Sequence, residues 1–287
     1  VYDISCKNLC PFEHCQRRIL FVILNKIRKK RIEHRSKEME DKEYMEQQTI
    51  IKGLQEATIL YIFVSGCTRG PYVQCDPETM DDETMIFMNL EDAKKEGDLY
   101  LQDKIPINIA KLEKKQMLGF YTSLYTMGIN AILVVMGDRK RRIQLKDFVK
   151  RKKMDGQEGG WIENPALHLT SLYYMQEIRR KPEQGMTEKI KELQEEIEIN
   201  LKRGGYLLAL RKDGEEIPLV KGINGEVFQP IFTDLLEFQK FNRENKLQPM
   251  VVLAENFPQV FTPKAKGIVL NPMGVNMPLS LRRVEQT

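Results

Sequence analysis

"IPLVKGINGEVFQPIFTD", residues 217–234, decides the fold reading, because it runs a tight-turn signal into a strand and the strand into a helix start. Asn224-Gly225 supplies the positive backbone angle that a two-residue hairpin turn requires. "VFQPIF" then reads as a strand and Thr233-Asp234 as its junction with a helix. Asp234 stands at the N-cap, with Glu237 three residues on at capping-box spacing, and Leu235, Phe238 and Phe241 fall on one side. Upstream, "YLLALRKDGEEIPLV" (206–220) predicts two strands around Asp213-Gly214, which makes the unit a three-stranded meander. Before it, "MTEKIKELQEEIEINLKRGG" (186–205) spaces Ile190, Leu193, Ile197 and Leu201 along one helical face. Thr187 is placed to cap that helix, Lys202 and Arg203 suit its negative end, and Gly204-Gly205 its left-handed terminator. Downstream, "QPMVVLA" (248–254) and "KGIVLNP" (266–272) are short apolar runs expected of strands buried on both faces.

The same order of landmarks occurs earlier in the chain. "ATILYIFVSG" and "TMIFMNL" predict strands separated by a polar loop from Thr68 to Glu83. Ile105-Pro106 answers Ile217-Pro218, "GFYTS" answers "PIFTD" with Thr122 against Thr233, "AILVVM" answers "PMVVLA", and "GGWIENP" answers "KGIVLNP" with Asn164 against Asn271. We read an internal duplication, each copy being large enough to own a core. Between the copies, Pro165 opens a helix carrying Leu167, Leu172, Tyr173 and Ile178, stopped at Lys181-Pro182. The expected organisation is a basic, poorly ordered leader (1–44), a first, degenerate domain (45–182) and a second domain (186–287). The fold class is α+β, in two tandem related domains that each carry a mixed sheet with helices packed on it.

Composition narrows the function classes. The chain has 287 residues, 41% hydrophobic and 30% charged, as an ordinary globular protein does. Residues 1–38 hold ten bases and four acids, leaving 35 bases against 37 acids elsewhere, so the net +4 belongs to the leader. That leader reads either as a native tail or as sequence upstream of a start at Met39 or Met45. No apolar run is long enough to cross a bilayer; "ILFVIL" (19–24) has six residues and is followed by bases. "CKNLCPFEHC" (6–15) brings Cys6, Cys10, Cys15 and His14 together, but no distant ligand pair completes a zinc set. The five cysteines are therefore expected to be free thiols in a reducing cytoplasm, with no metal or other cofactor.

"PIFTDLLEFQKF", "MVVLA" and "GIVLNPMGVNM" together resemble the amino-terminal domain of the SseB family, with Phe232-Thr233-Asp234 and Asn271-Pro272-Met273-Gly274 carrying the likeness. It covers Gly204 to Leu281, and Ala57 to Pro165 more weakly, where Ser123 and Ala166-Leu167 depart from the motif. The resemblance implies an α+β domain with a mixed sheet, found mostly in bacteria, and it brings no catalytic residues.

The candidate binding residues are Thr233, Asp234, Asn271, Pro272, Met273 and Gly274. Each also has a plain structural reading, as a helix cap for the first two and as a strand-ending turn for the rest. The expectation is a non-catalytic, cytoplasmic protein-interaction module with a protein partner. A first alternative is nucleic-acid binding through the run 139–153, led by Arg139, Lys140, Arg141 and Arg142, although only Phe148 is at hand to stack on bases. A second is an enzyme of unrecognised chemistry. His168, the one histidine outside the leader, reads as a structural histidine on a helix, and neither a phosphate-cradling loop nor a nucleophile elbow is present.

Overall fold

The computed structural model describes residues 29, 34, 37–39, 41–150, 162–214, 216–222 and 224–280. The cysteine-rich stretch 6–15, most of the leader, bases 151–153 and Trp161 lie outside them. The chain divides into two compact units, Val1–Gln55 and Glu56–Thr287. The first carries a helix, α1, running from residue 41 to the boundary.

The second unit holds two sheets. The first half runs β1 (Ile59–Ser65), β2 (Gln74–Cys75), β3 (Asp82–Phe87), α2 (Leu90–Gln102), β4 (Ile107–Glu113), α3 (Lys114–Thr126), β5 (Ala131–Met136), β6 (Arg139–Gln144) and α4 (Leu145–Phe148). Two helices follow, α5 (Pro165–Arg180) and α6 (Glu188–Arg203). The second half runs β7 (Gly205–Arg211), β8 (Val220–Lys221), β9 (Val227–Phe232), α7 (Leu235–Phe241) and β10 (Leu247–Leu253). A 3-10 turn (Ala254–Asn256), a single helical turn, α8 (Phe257–Val260), β11 (Gly267–Leu270) and β12 (Met277–Ser280) complete it.

The sheet orders are β4-β1-β3-β5-β6 with β2 on β3, and β10-β7-β9-β11-β12 with β8 on β9. In each, one central pair is parallel (β3 with β5, β9 with β11) and the rest are antiparallel. The α+β class and the two related sheets are as expected from the sequence. At Asp213-Gly214 the chain turns, with the Arg211 N–H donating to the Glu216 carbonyl at 3.0 Å, but among the described residues no strand pairs with β7 there; β7 pairs with β9 and β10, and the strand hairpin forms at Asn224-Gly225, with Gly225 at φ 78°.

Strand register gives the true correspondence between the halves. Tyr61 faces Phe87 as Leu207 faces Phe232, and Ile86 pairs with Val134 as Ile231 pairs with Leu270. "IFMNL" (86–90) is therefore the counterpart of "IFTDL" (231–235), and the two helix caps match. Asn89 accepts from the Asp92 N–H and Asp234 from the Glu237 N–H. This corrects the alignment drawn from sequence by one element. "GFYTS" lies inside α3, where Thr122 and Ser123 donate to the carbonyls of Leu118 and Phe120, and "AILVVM" is β5, the counterpart of β11 rather than of β10. The slip has a physical source: α2 has 13 residues and α7 has seven, so spacing along the chain drifts while spacing across the sheet does not.

Alternation along the central strands buries both faces, whereas β10, expected from its apolar run to be buried on both, is an edge strand with Val251 and Leu253 about half exposed. On the α2 side, Phe63, Met85, Phe87 and Val135 form a core with Phe63 and Phe87 rings 4.6 Å apart; on the α7 side Leu207, Ala209, Phe232 and Phe238 do the same. The opposite faces are presented by Leu60, Ile86 and Ile132 in the first half and by their counterparts Tyr206, Ile231 and Ile268 in the second. Here the halves differ. Thirteen-residue α3 joins β4 to β5 and buries Met117, Tyr121 and Leu124, whereas only the short turn and α8 join β10 to β11, with no buried residue.

Candidate functional site

The sequence-derived binding residues converge on one place. At the end of β9, Thr233 is fully buried and the Asp234 side chain is 1% exposed; at the end of β11, Asn271 is fully buried. The Asn271 Oδ1 accepts the Thr233 N–H at 3.0 Å, and its Nδ2–H donates to Thr233 Oγ1 at 2.9 Å. The Thr233 hydroxyl donates to Asp234 Oδ2 at 2.8 Å. The two parallel strand ends are thus bolted together by side chains where their backbone ladder runs out.

The turn that follows faces inward. Asn271 itself adopts φ 46°, a left-handed angle that asparagine tolerates, and its carbonyl accepts the N–H of Gly274 and of Asn276 at 2.9 Å. Gly274 is required for space rather than for backbone freedom, since a Cβ there would run into the Glu237 carboxylate. The Arg69 N–H donates to the Gly274 carbonyl at 3.4 Å, and the Arg69 guanidinium approaches Met273 Sδ at 3.8 Å. Pro272 is buried as well. This turn is where the second half docks on the first, not an outward-facing surface.

The connecting helix α5 makes the other half of that contact. Arg179 donates to the carbonyls of Cys67 (2.7 Å), Val275 (3.3 Å) and Asn276 (2.7 Å), so one guanidinium spans both halves. Gln176 exchanges two hydrogen bonds with the Val73 backbone, and Asn164 receives the β-bridge to the second half through its N–H to the Thr233 carbonyl at 3.0 Å. Gly204 was expected as a left-handed helix end; its φ is −94°, and it is small because a Cβ would lie 2.6 Å from Asn164 Oδ1.

His168, on α5, faces the strand-end cluster. Its Nδ1 lies 3.2 Å from Thr233 Oγ1 and 3.4 Å from Asp234 Oδ2, and its Nε2 4.0 Å from Glu237 Oε1. Burial pushes the Asp234 carboxyl up, but His168, the Thr233 hydroxyl and the Glu237 N–H outweigh it and hold the group below the ordinary carboxylate range. Glu237 pairs with Lys240 through Oε1, while its Oε2 is buried without a partner. Sequence reading had His168 as structural. It is a packed histidine, but its two carboxylate neighbours come from 66 and 69 residues further along and no local pattern announces them.

Two members of the basic run are paired within the chain. Arg142 bonds Glu83 at 2.6 Å and Asp76 at 2.5 Å, and Lys140 pairs with Glu96 at 2.5 Å. The Thr79 and Glu78 N–H groups and Arg142 hold the Asp76 carboxyl down to about 2. Arg139 and Arg141 are exposed on edge strand β6, where charge discourages pairing with another chain. Among the described residues no cluster of histidines, cysteines or carboxylates could hold a metal ion, Cys67 and Cys75 are free thiols, and no helix is long and apolar enough to cross a membrane.

Among the described residues a groove of about 890 Å³ opens on the second half. Its floor is Tyr206, Ile231 and Ile268, and its walls are Ile197 and Leu201 of α6, Phe257 of α8, Tyr174 of α5, and Pro278 and Leu279 of β12. The floor residues are the counterparts of Leu60, Ile86 and Ile132 and are buried like them, at 2% (Tyr206), 1% (Ile231) and 3% (Ile268) exposed, so the opening lies above them, between α6, α8 and β12. The groove therefore lies on the sheet face where the second half has no helix to match α3. Its lining is apolar apart from Gln194, Glu198, Lys202, Glu255 and Ser280 at the margins, with no nucleophile and base in apposition.

No family model matches the chain, and no curated protein matches it. Among solved structures, Anabaena Tic22, described as a protein of protein transport, aligns over 73% of this chain and 85% of its own at 12% identity and a TM-score of 0.20. Tic22 from Plasmodium falciparum aligns over 77% and 90% at 15% identity and a TM-score of 0.22. Likeness at that level carries no argument about how this chain works.

Proposed function

We propose that this protein is a non-catalytic interaction module whose second half holds an apolar-faced helical segment of a partner protein in the groove beside α6. One observation carries this reading: the groove occupies the sheet face of the second half where no helix matches α3. The pseudo-equivalent face of the first half is closed, so the open one has the size and chemistry to receive about three turns of amphipathic helix. The SseB resemblance over Gly204 to Leu281, which brings no catalytic residues, is in keeping with a binding role. The binding surface is moved from the Asn271–Gly274 turn, which is occupied by contact between the halves, to the groove.

The test uses α3 as its own probe. A synthetic peptide of residues 111–128 labelled at one end is titrated against the full chain, with a scrambled peptide as control. Saturable binding of the native peptide that weakens at least about tenfold, ~1.4 kcal/mol, in Phe257→Glu with Leu279→Lys, at unchanged thermal midpoint, supports the reading. Equal binding of both peptides, or none at high micromolar concentration, rejects it.

A further inference from the structure

We propose that His168 is a proton-operated latch between the two halves: with its ring protonated it ties α5 to the start of α7, and loss of the proton loosens that joint. The donors and acceptors around the ring lead to this. The Thr233 hydroxyl has a single proton, which goes to Asp234 Oδ2 at 2.8 Å, and its oxygen already receives Asn271 Nδ2–H at 2.9 Å. Toward His168 Nδ1, 3.2 Å away, Thr233 Oγ1 can act only as acceptor, and Asp234 Oδ2 at 3.4 Å is an acceptor too. Nδ1 therefore carries hydrogen in either charge state, and the second proton belongs to Nε2.

What Nε2 faces decides the consequence. Glu237 Oε1 lies 4.0 Å away, and both side chains are 1% exposed. A neutral ring would turn a lone pair toward that carboxylate. It would also leave the buried Asp234 and Glu237 balanced by Lys240 alone, with Glu237 Oε2 already lacking a partner. The imidazolium turns an N–H to each carboxylate and brings the cluster of Asp234, Glu237, Lys240 and His168 to zero net charge. The other groups near this joint do not oppose a protonated ring. Thr233 and Asn271 are neutral and Asn164, the cap of α5, is engaged with Thr233 and Gly205 backbone, while the carboxylates of Glu163, bridged to Asp234, and of Glu196 on α6, which accepts the Thr170 hydroxyl at 2.8 Å, add negative charge that favours the protonated ring.

The latch sits between the Glu163–Asp234 bridge and the Arg179 clamp at opposite ends of α5. Its stabilisation is present while the ring is protonated and is lost as pH rises and the proton leaves. Nitrogen-15 imidazole spectra of the full chain, recorded from about pH 5 to about pH 9, report the ring directly. Amide-exchange protection factors report the joint. The expected result is a single transition of the ring from the doubly protonated form to the Nδ1–H form. Across it, protection at the Asn164 and Asn271 amides should drop about tenfold while core amides of β1 hold theirs. In His168→Gln that drop disappears. A ring that stays in one charge state throughout, an Nε2–H neutral form, or a transition with no change at the joint overturns the proposal. The spectra of the natural chain decide even where the variant fails to fold.

Discussion

In the first half, the sheet face opposite α2 presents Leu60, Ile86 and Ile132, all fully buried, and α3 contributes Met117, Tyr121 and Leu124 to the interior. In the second half the counterparts Tyr206, Ile231 and Ile268 are buried too, but a groove opens over them, where β10 and β11 are joined by a turn and α8 instead of a three-turn helix. Two copies of one topology thus differ in the connection between these strands, and that difference goes with the groove on the second half. The strand ends diverge in the opposite sense. Where the second half has the buried polar set Thr233, Asp234 and Asn271, the first has Met88, Asn89 and Val135 at the matching positions. The first half ends its strands on apolar Met88 and Val135 and an exposed cap, Asn89, the second on buried hydrogen bonds that also meet α5.

The sharpest way to break the comparison is to empty matching places in the two halves. Leu124→Ala removes a fully buried side chain and should cost about 3 kcal/mol. Leu201→Ala trims a groove wall and should cost about 1 kcal/mol or less. Urea unfolding of both variants checks this, and equal losses would mean that the groove is as tightly packed as the α3 face. Next come the caps. Asp234→Ala strips the α7 cap and takes from the Thr233 hydroxyl proton its acceptor and from His168 its nearer carboxylate, at about 2–3 kcal/mol. Asn89→Ala removes an exposed cap alone, at about 1 kcal/mol. Matching midpoints in guanidinium titrations would show that the buried cluster adds nothing beyond capping.

A smaller effect separates the halves by pH. Asp234 is held below its ordinary value in the fold, so its contribution is present above the unfolded value, near pH 4, and is lost as pH falls through the folded one. The thermal midpoint of the natural chain should fall on acidification below about pH 4 more steeply than that of Asp234→Asn, measured by circular dichroism. Identical acid limbs would remove Asp234 from the account. Gly274→Ala, which meets Glu237, should lose about 1–2 kcal/mol and regain part of it when combined with Glu237→Ala. Additive losses would show that the two side chains do not touch.

The legible part of this protein was local. Periodicity placed α6, the Asp234 cap placed α7, apolar runs placed β5, β10 and β11, and Asn224-Gly225 placed the hairpin. Repetition of motifs showed that the chain is doubled, although pairing "GFYTS" with "PIFTD" took similar letters for equivalent positions. The better signal, Ile-Phe-x-Asn/Asp-Leu at 86–90 and 231–235, was present, but one threonine and one methionine at its centre hid it. The candidate residues Thr233, Asp234 and Asn271 were rightly picked as a group, yet what they do was not readable. A turn rich in asparagine, proline and glycine looks alike whether it faces solvent or another half of the molecule.

The sequence by itself determined the elements and their order, since backbone angles, caps and apolar spacing are set by neighbours within a few positions. Only the tertiary structure decided that Asn271 to Gly274 would be covered, that His168 would meet two carboxylates, and that the α3-less face would stand open. Those outcomes depend on which surfaces come together across the sheets, and burial of charge or loss of a covering helix has no short-range signature in the chain.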